Sequence, residues 1–119
     1  MEIKAHQINN TKVAEIISEK LIIHSAQDGL DLLGNIYYQD FDAVVLYEKN
    51  IIPEFFDLKT KMAGEILQKF SNYRMKLAII GDFSRYESKS FKDFIFESNK
   101  TRYINFVESL EEALEKLSQ

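Results

Sequence analysis

Ala43-Val44-Val45-Leu46-Tyr47 and Lys76-Leu77-Ala78-Ile79-Ile80 are two apolar runs of strand length. Strands covered on both faces read as continuous apolar runs of this kind. Between them, from about Asp57 to Asn72, the residues Met62, Ala63, Ile66, Leu67 and Phe70 recur at helical spacing. Strand, helix and strand in that order predict a parallel pair joined by a crossover helix, and so an α/β fold. Pro53 biases Ile52 away from helix and marks a boundary before the helical segment.

The flanks extend the same alternation. On the C-terminal side, Ser90 with Asp93 predicts a capped short helix bearing Phe91, Phe94 and Ile95, with Asn99 as its C-cap. Tyr103 to Val107 reads as a last strand, and Ser109 with Glu112 as a capping box opening a helix striped by Leu110, Ala113, Leu114 and Leu117. On the N-terminal side, residues 2–8 and Thr11 to Ile17 read as a hairpin turning at Asn9-Asn10. Ser25 with Asp28 opens a helix whose main stripe is Leu30, Leu33 and Tyr37, with Leu32 and Ile36 beside it. The order is β-β-α-β-α-β-α-β-α over a single domain, 1–119, with a mostly parallel sheet and helices packed on it. The expected core is Val44, Leu46, Ile66, Leu67, Phe70, Leu77, Ile79, Phe94 and Leu114.

Composition narrows the function classes. The 119 residues carry 15 basic and 19 acidic side chains, a net charge of -4, with the signs interspersed and no basic stripe. That disfavours nucleic acid as a partner. With no cysteine and two histidines, disulfides, thiolate nucleophiles and histidine-rich metal sites are not expected, and neither is a cofactor. No apolar run reaches the length of a membrane span, and Met1 to His6 holds no signal-peptide core, so a cytoplasmic location is expected.

In an open parallel sheet, ligands and partners meet the carboxyl ends of the strands. Glu48 and Asn50 follow the first of the two quoted strands, Gly81, Asp82 and Ser84 follow the second, and Asp57, Lys59 and Thr60 begin the intervening helix. If the helix is unbroken from about Asp57, Lys59 falls in the middle of its apolar arc, where an unpaired ammonium is costly to bury. Either Lys59 meets an anion or an acid such as Asp82, or the helix starts after Lys59 and the side chain reaches water. Asp57 reads first as an N-cap. Gly64 in the helix suggests a close approach of backbone. Phe56 or Phe96 is expected to remain at a surface used for binding. The phosphate-cradling and nucleophile-elbow motifs are missing, and the pair Lys59 and Asp82 alone is a thin basis for an enzyme.

The order of elements resembles that of STAS domains, the fold of bacterial anti-sigma factor antagonists. Asp42 to Phe70 resembles the STAS strand and its functional loop-helix, and Lys76 to Leu114, ending in Ser109-Leu110-Glu111-Glu112-Ala113-Leu114, resembles the STAS tail. In that family an Asp-Ser pair opens the loop-helix and the serine is phosphorylated. Asp57 matches the aspartate, but Leu58 stands at the serine position, and Thr60 could substitute only with a shifted register. More narrowly, Phe55-Phe56-Asp57-Leu58-Lys59-Thr60, Ala63-Gly64-Glu65, Gln68-Lys69-Phe70, Tyr73-Arg74, Gly81-Asp82-Phe83-Ser84 and Glu97-Ser98-Asn99 resemble a family of small bacterial proteins defined only as a domain of unknown function.

The resulting expectation is a regulatory, non-enzymatic interaction domain. It would bind a protein partner through the loop 48–60 and the start of the long helix, with Asp57, Lys59, Thr60, Asp82, Glu48, Asn50 and Ser84 as the binding residues. The sequence leaves a homodimer open. The alternative is a binder of an anionic or lipid-like small ligand beside Lys59, and an enzyme using Lys59 and Asp82 ranks last.

Overall fold

Alternation of buried and exposed positions is weakest where the chain runs through the middle of the sheet, and those runs are where the strands lie. The computed structural model describes residues 1–119 and orders them as β1 (Glu2–Ile8), β2 (Thr11–Ile17), α1 (Ala26–Tyr38), β3 (Ala43–Tyr47), α2 (Met62–Asn72), β4 (Lys76–Ile80), α3 (Lys89–Thr101), β5 (Ile104–Val107) and α4 (Leu110–Leu117). The strands pair in chain order, β1-β2-β3-β4-β5. β1 is antiparallel to β2, and β2 through β5 are parallel.

Each parallel strand is added on the same side of its predecessor, so right-handed crossovers put α1, α2 and α3 on one face. Ala14, Ile16, Val44, Leu46, Leu77, Ile79 and Phe106 point to that face and pack with Leu32, Leu33, Ile36, Ile66, Phe70 and Phe91. Residues of the other parity, Val13, Ala43, Val45, Ala78, Ile80 and Val107, pack against Ala113 and Leu117 of α4. Burying a side chain of this size contributes about 1.5–3 kcal/mol, so both faces are strongly specified. No helix is long and apolar enough to cross a membrane.

Several expectations need correction. Asp57 to Lys61 is not α-helical: a 3-10 turn spans Leu58–Thr60, Lys61 has a φ of 64°, and α2 begins at Met62. The Asp57 side chain accepts from the Lys59 backbone N–H at 3.1 Å and the Thr60 hydroxyl donates to the Glu54 and Asp57 carbonyls, so local side-chain bonds hold the backbone away from the α-helix. The buried face of α1 is centred on Gly29, Leu32, Leu33 and Ile36, and Tyr37 of the expected stripe is 53 % exposed. Gly29 is where α1 meets α2; a Cβ there would lie 2.7 Å from Ile66 Cδ1. Gly64 has open space at its Cβ position, so close approach does not explain it. The α3 cap is Ser88 rather than Ser90, accepting from the Phe91 N–H at 3.2 Å. Asn99 lies inside α3 and accepts from the Phe106 N–H at 2.7 Å, tying α3 to β5. Phe94 and Leu114 are half-buried rather than central.

Candidate functional site

Four parallel strands end at the same edge of the molecule, so the segments leaving β3, β4 and β5 form one rim. Short 3-10 turns build it: Glu48–Asn50, Pro53–Phe56 and Leu58–Thr60 after β3, and Phe83–Arg85 after β4. Side chains fix them. Asp57 and Asp82 each sit before a turn and accept the backbone N–H two residues on, from Lys59 and Ser84 respectively, both at 3.1 Å. Asn50 is fully buried and donates to the carbonyls of Ser18 and Lys20 at 2.8 and 2.9 Å, clamping the 18–20 loop to the rim.

Tyr47, Glu48, Lys49, Ile80, Gly81, Asp82 and Glu108 enclose an open cleft of about 620 Å³ at the strand ends. A second cleft of about 370 Å³ shares Glu48 and Lys49 and is completed by Leu21, Ile51, Pro53, Phe56, Arg85 and Tyr86. Glu48 forms the partition: it accepts from the Tyr86 hydroxyl and is ion-paired to Arg85. Burial, followed by the bond to Glu48, pushes the Tyr86 phenol up. Gly81 is needed here because a Cβ would lie 2.5 Å from Glu48 Oε1. The Ser84 hydroxyl and backbone N–H both donate to Asp82, and these bonds hold its carboxyl below the usual carboxylate range.

The expected residues therefore divide. Glu48 and Asp82 line the larger cleft, with Ser84 bound to Asp82. Asn50 is a buried clamp, not a contact residue. Asp57, Lys59 and Thr60 are exposed on the rim and line neither cleft. The expected Lys59–Asp82 pair does not form: Lys59 has no ion-pair partner in the chain, and Asp82 is engaged by Ser84. With the α-helix starting at Met62, Lys59 is not on its apolar face, and the second of the two readings of that lysine holds. The larger cleft carries three carboxylates and one ammonium, the wrong sign for an anionic ligand. The apolar cavity between α1, α2 and the sheet is only about 10 Å³, at most the space of one water, and admits no lipid tail.

Arg85 and Tyr86 were not expected at the site; nothing in their local sequence marks them as partners of Glu48, 37 and 38 residues away. A second cluster lies on the sheet face beside α4. Glu15 is 5 % exposed and accepts from the Tyr47 hydroxyl at 2.6 Å, with His6 Nε2 at 2.8 Å from its other oxygen. The signal was present as a carboxylate inside the apolar run Val13-Ala14-Glu15-Ile16-Ile17, at the same strand parity as Tyr47.

A family model described as a domain of unknown function (DUF4180) matches residues 8–117. No curated protein and no solved structure matches the chain.

Proposed function

We infer that this chain, which belongs to the DUF4180 family, is a regulatory protein-interaction domain whose partner docks on the rim at the carboxyl ends of the parallel strands. The observation that carries this reading is the rim itself: consecutive 3-10 turns held by Asp57, Thr60, Asp82 and the buried Asn50 present Lys49 and Lys59 to solvent with no ion partner in the chain. A preordered surface loses little entropy on binding, and free charges at its edge set orientation and association rate. The clefts support the same reading, since both are open to solvent where a small-molecule site is enclosed.

The STAS-like order of elements supports it from a second direction. The segment Asp42 to Phe70, likened to the STAS strand and contact loop-helix, is the segment that crosses the rim. The phospho-switch of that family is not carried over, because Leu58 replaces the serine and the Thr60 hydroxyl is spent on the Glu54 and Asp57 carbonyls.

Affinity capture from source-cell lysate tests the proposal, with the wild type compared against Lys49→Glu/Lys59→Glu and a variant in the last turn of α2, away from the rim, Lys69→Gln. A partner recovered by the wild type and by Lys69→Gln but lost by the folded double variant is the expected result. A partner that binds all three baits equally places the docking surface elsewhere.

A further inference from the structure

The two ends of β4 and β5 carry opposite charge in matched pairs. Arg74 lies two residues before β4 and Arg102 two residues before β5. Asp82 lies two residues after β4 and Glu108 immediately after β5. The strands are adjacent and parallel, in register Leu77↔Ile104 and Ile80↔Val107. So the two arginines precede neighbouring strands at the foot of the sheet, and the two acids follow the same neighbouring strands at its head, where they line one cleft. All four side chains are exposed, and none makes an ion pair within the chain.

Both arginines also adopt the left-handed backbone, with φ of 55° at Arg74 and 66° at Arg102. Glycine or asparagine is the ordinary choice for that conformation after a helix. A cation near a helix C-terminus does favour the dipole, but Lys69 and Lys100 already supply one in the last turns of α2 and α3 with helical backbone. Half-exposed tyrosines flank the arginines, Tyr73 at 48 % and Tyr103 at 38 %, and Tyr73 is braced edge-on against Tyr37 at 5.2 Å. Tyrosine and arginine together are the side chains most enriched where proteins contact one another.

We propose that copies of this chain associate head to tail, with Arg74 and Arg102 of one copy meeting Asp82 and Glu108 of the next. The contact is heterologous, joining two different surfaces, and it leaves a free head and a free foot on every open assembly. Exposed ion pairs dominate it, so it is weak and salt-sensitive. The inference rests on the reading of the rim as a docking surface and names a second copy as one occupant. The capture experiment is scored on Lys49 and Lys59, which this junction does not use, so the two can fail separately.

Analytical ultracentrifugation tests it with two neutralised variants, Arg74→Gln/Arg102→Gln lacking the foot and Asp82→Asn/Glu108→Gln lacking the head, each checked for native circular dichroism. The wild type gains mass with concentration at low ionic strength and returns to monomer at about 1 M salt, where the screening length is about 3 Å. Each variant alone stays monomeric at concentrations where the wild type associates. Their equimolar mixture, which retains one competent junction, forms dimers and nothing larger. A wild type that is monomeric up to its solubility limit overturns the proposal. So does association that survives in either variant, or a mixture that gives only monomers or species beyond the dimer.

Discussion

Glu15 on β2 and Tyr47 on β3 are joined across the parallel pair by a 2.6 Å hydrogen bond from the phenol to a carboxylate that is almost fully buried. A buried carboxylate is tolerable only when its oxygens are satisfied, and here each has one partner, Tyr47 on one and His6 on the other. Three strands are thereby tied on the face that α4 only partly covers. Glu15→Ala leaves two polar side chains without their acceptor and is expected to cost about 1–3 kcal/mol in urea denaturation. A loss below ~0.5 kcal/mol would mean that water replaces the carboxylate without penalty.

The same cluster makes stability depend on pH in a defined direction. Burial pushes the Glu15 carboxyl up, but the bonds from Tyr47 and His6 and the positive charge of nearby Lys4 outweigh it, and the net shift is downward. The unfolded chain then takes up this proton at higher pH than the folded one does. Its contribution is complete above the ordinary carboxylate range and is lost as pH falls through the lowered folded value. The stability difference between wild type and Glu15→Gln is expected to shrink between about pH 6 and about pH 3. A difference that stays constant over that range removes Glu15 as the titrating group.

At the alkaline end the sign reverses. Burial, the hydrogen bond to Glu15 and the charge of Glu15 push the Tyr47 phenol up to about 12. An unfolded tyrosine ionises near 10, so the stability held by this phenol is full below that pH and lost as pH rises towards 12. An ultraviolet phenolate titration of the six tyrosines is expected to show a last step that Tyr47→Phe abolishes. If the last step persists in the variant and an ordinary step is lost instead, the Tyr47–Glu15 bond is not maintained in solution.

Two glycines within helices are expected to respond oppositely to alanine. At Gly29 a Cβ would meet Ile66 at 2.7 Å, so Gly29→Ala forces α1 and α2 apart and costs about 1–3 kcal/mol, less what alanine returns in helix propensity. At Gly64 the Cβ position is open and the residue is exposed, so Gly64→Ala gains about 0.5–1 kcal/mol. Thermal midpoints of the two variants shifting in the same direction would contradict this picture of the helix contact.

Asn50→Ala removes both bonds that hold the 18–20 loop and leaves the carbonyls of Ser18 and Lys20 unpaired, at a cost of about 2–3 kcal/mol. Hydrogen exchange in 18–23 should rise with it, because the Ile22 and Ile23 amides bond to the Asn50 carbonyl. Unchanged exchange there would show that Asn50 is not the clamp.

The runs 43–47 and 76–80, both buried to four residues in five, coincide with β3 and β4, because a strand covered on both faces leaves no room for polar residues. The caps at Ser25 and Ser109 were equally legible, since capping is a local event. The position of Lys59 was not legible from helical spacing. Helical periodicity has meaning only where the backbone is helical, and Asp57, Thr60 and the positive φ of Lys61 break it before Met62. The partition of the rim was invisible for another reason: Glu48, Arg85 and Tyr86 are brought together by strand adjacency across 37 and 38 residues, and no local pattern records that.

The most direct test of the rim as docking surface is hydrogen–deuterium exchange on the captured complex compared with the free chain. Protection is expected across 48–60 and 81–86, with 26–38 and 110–117 unchanged. Protection confined to α1 or α4, with 48–60 exchanging as in the free protein, would contradict the account.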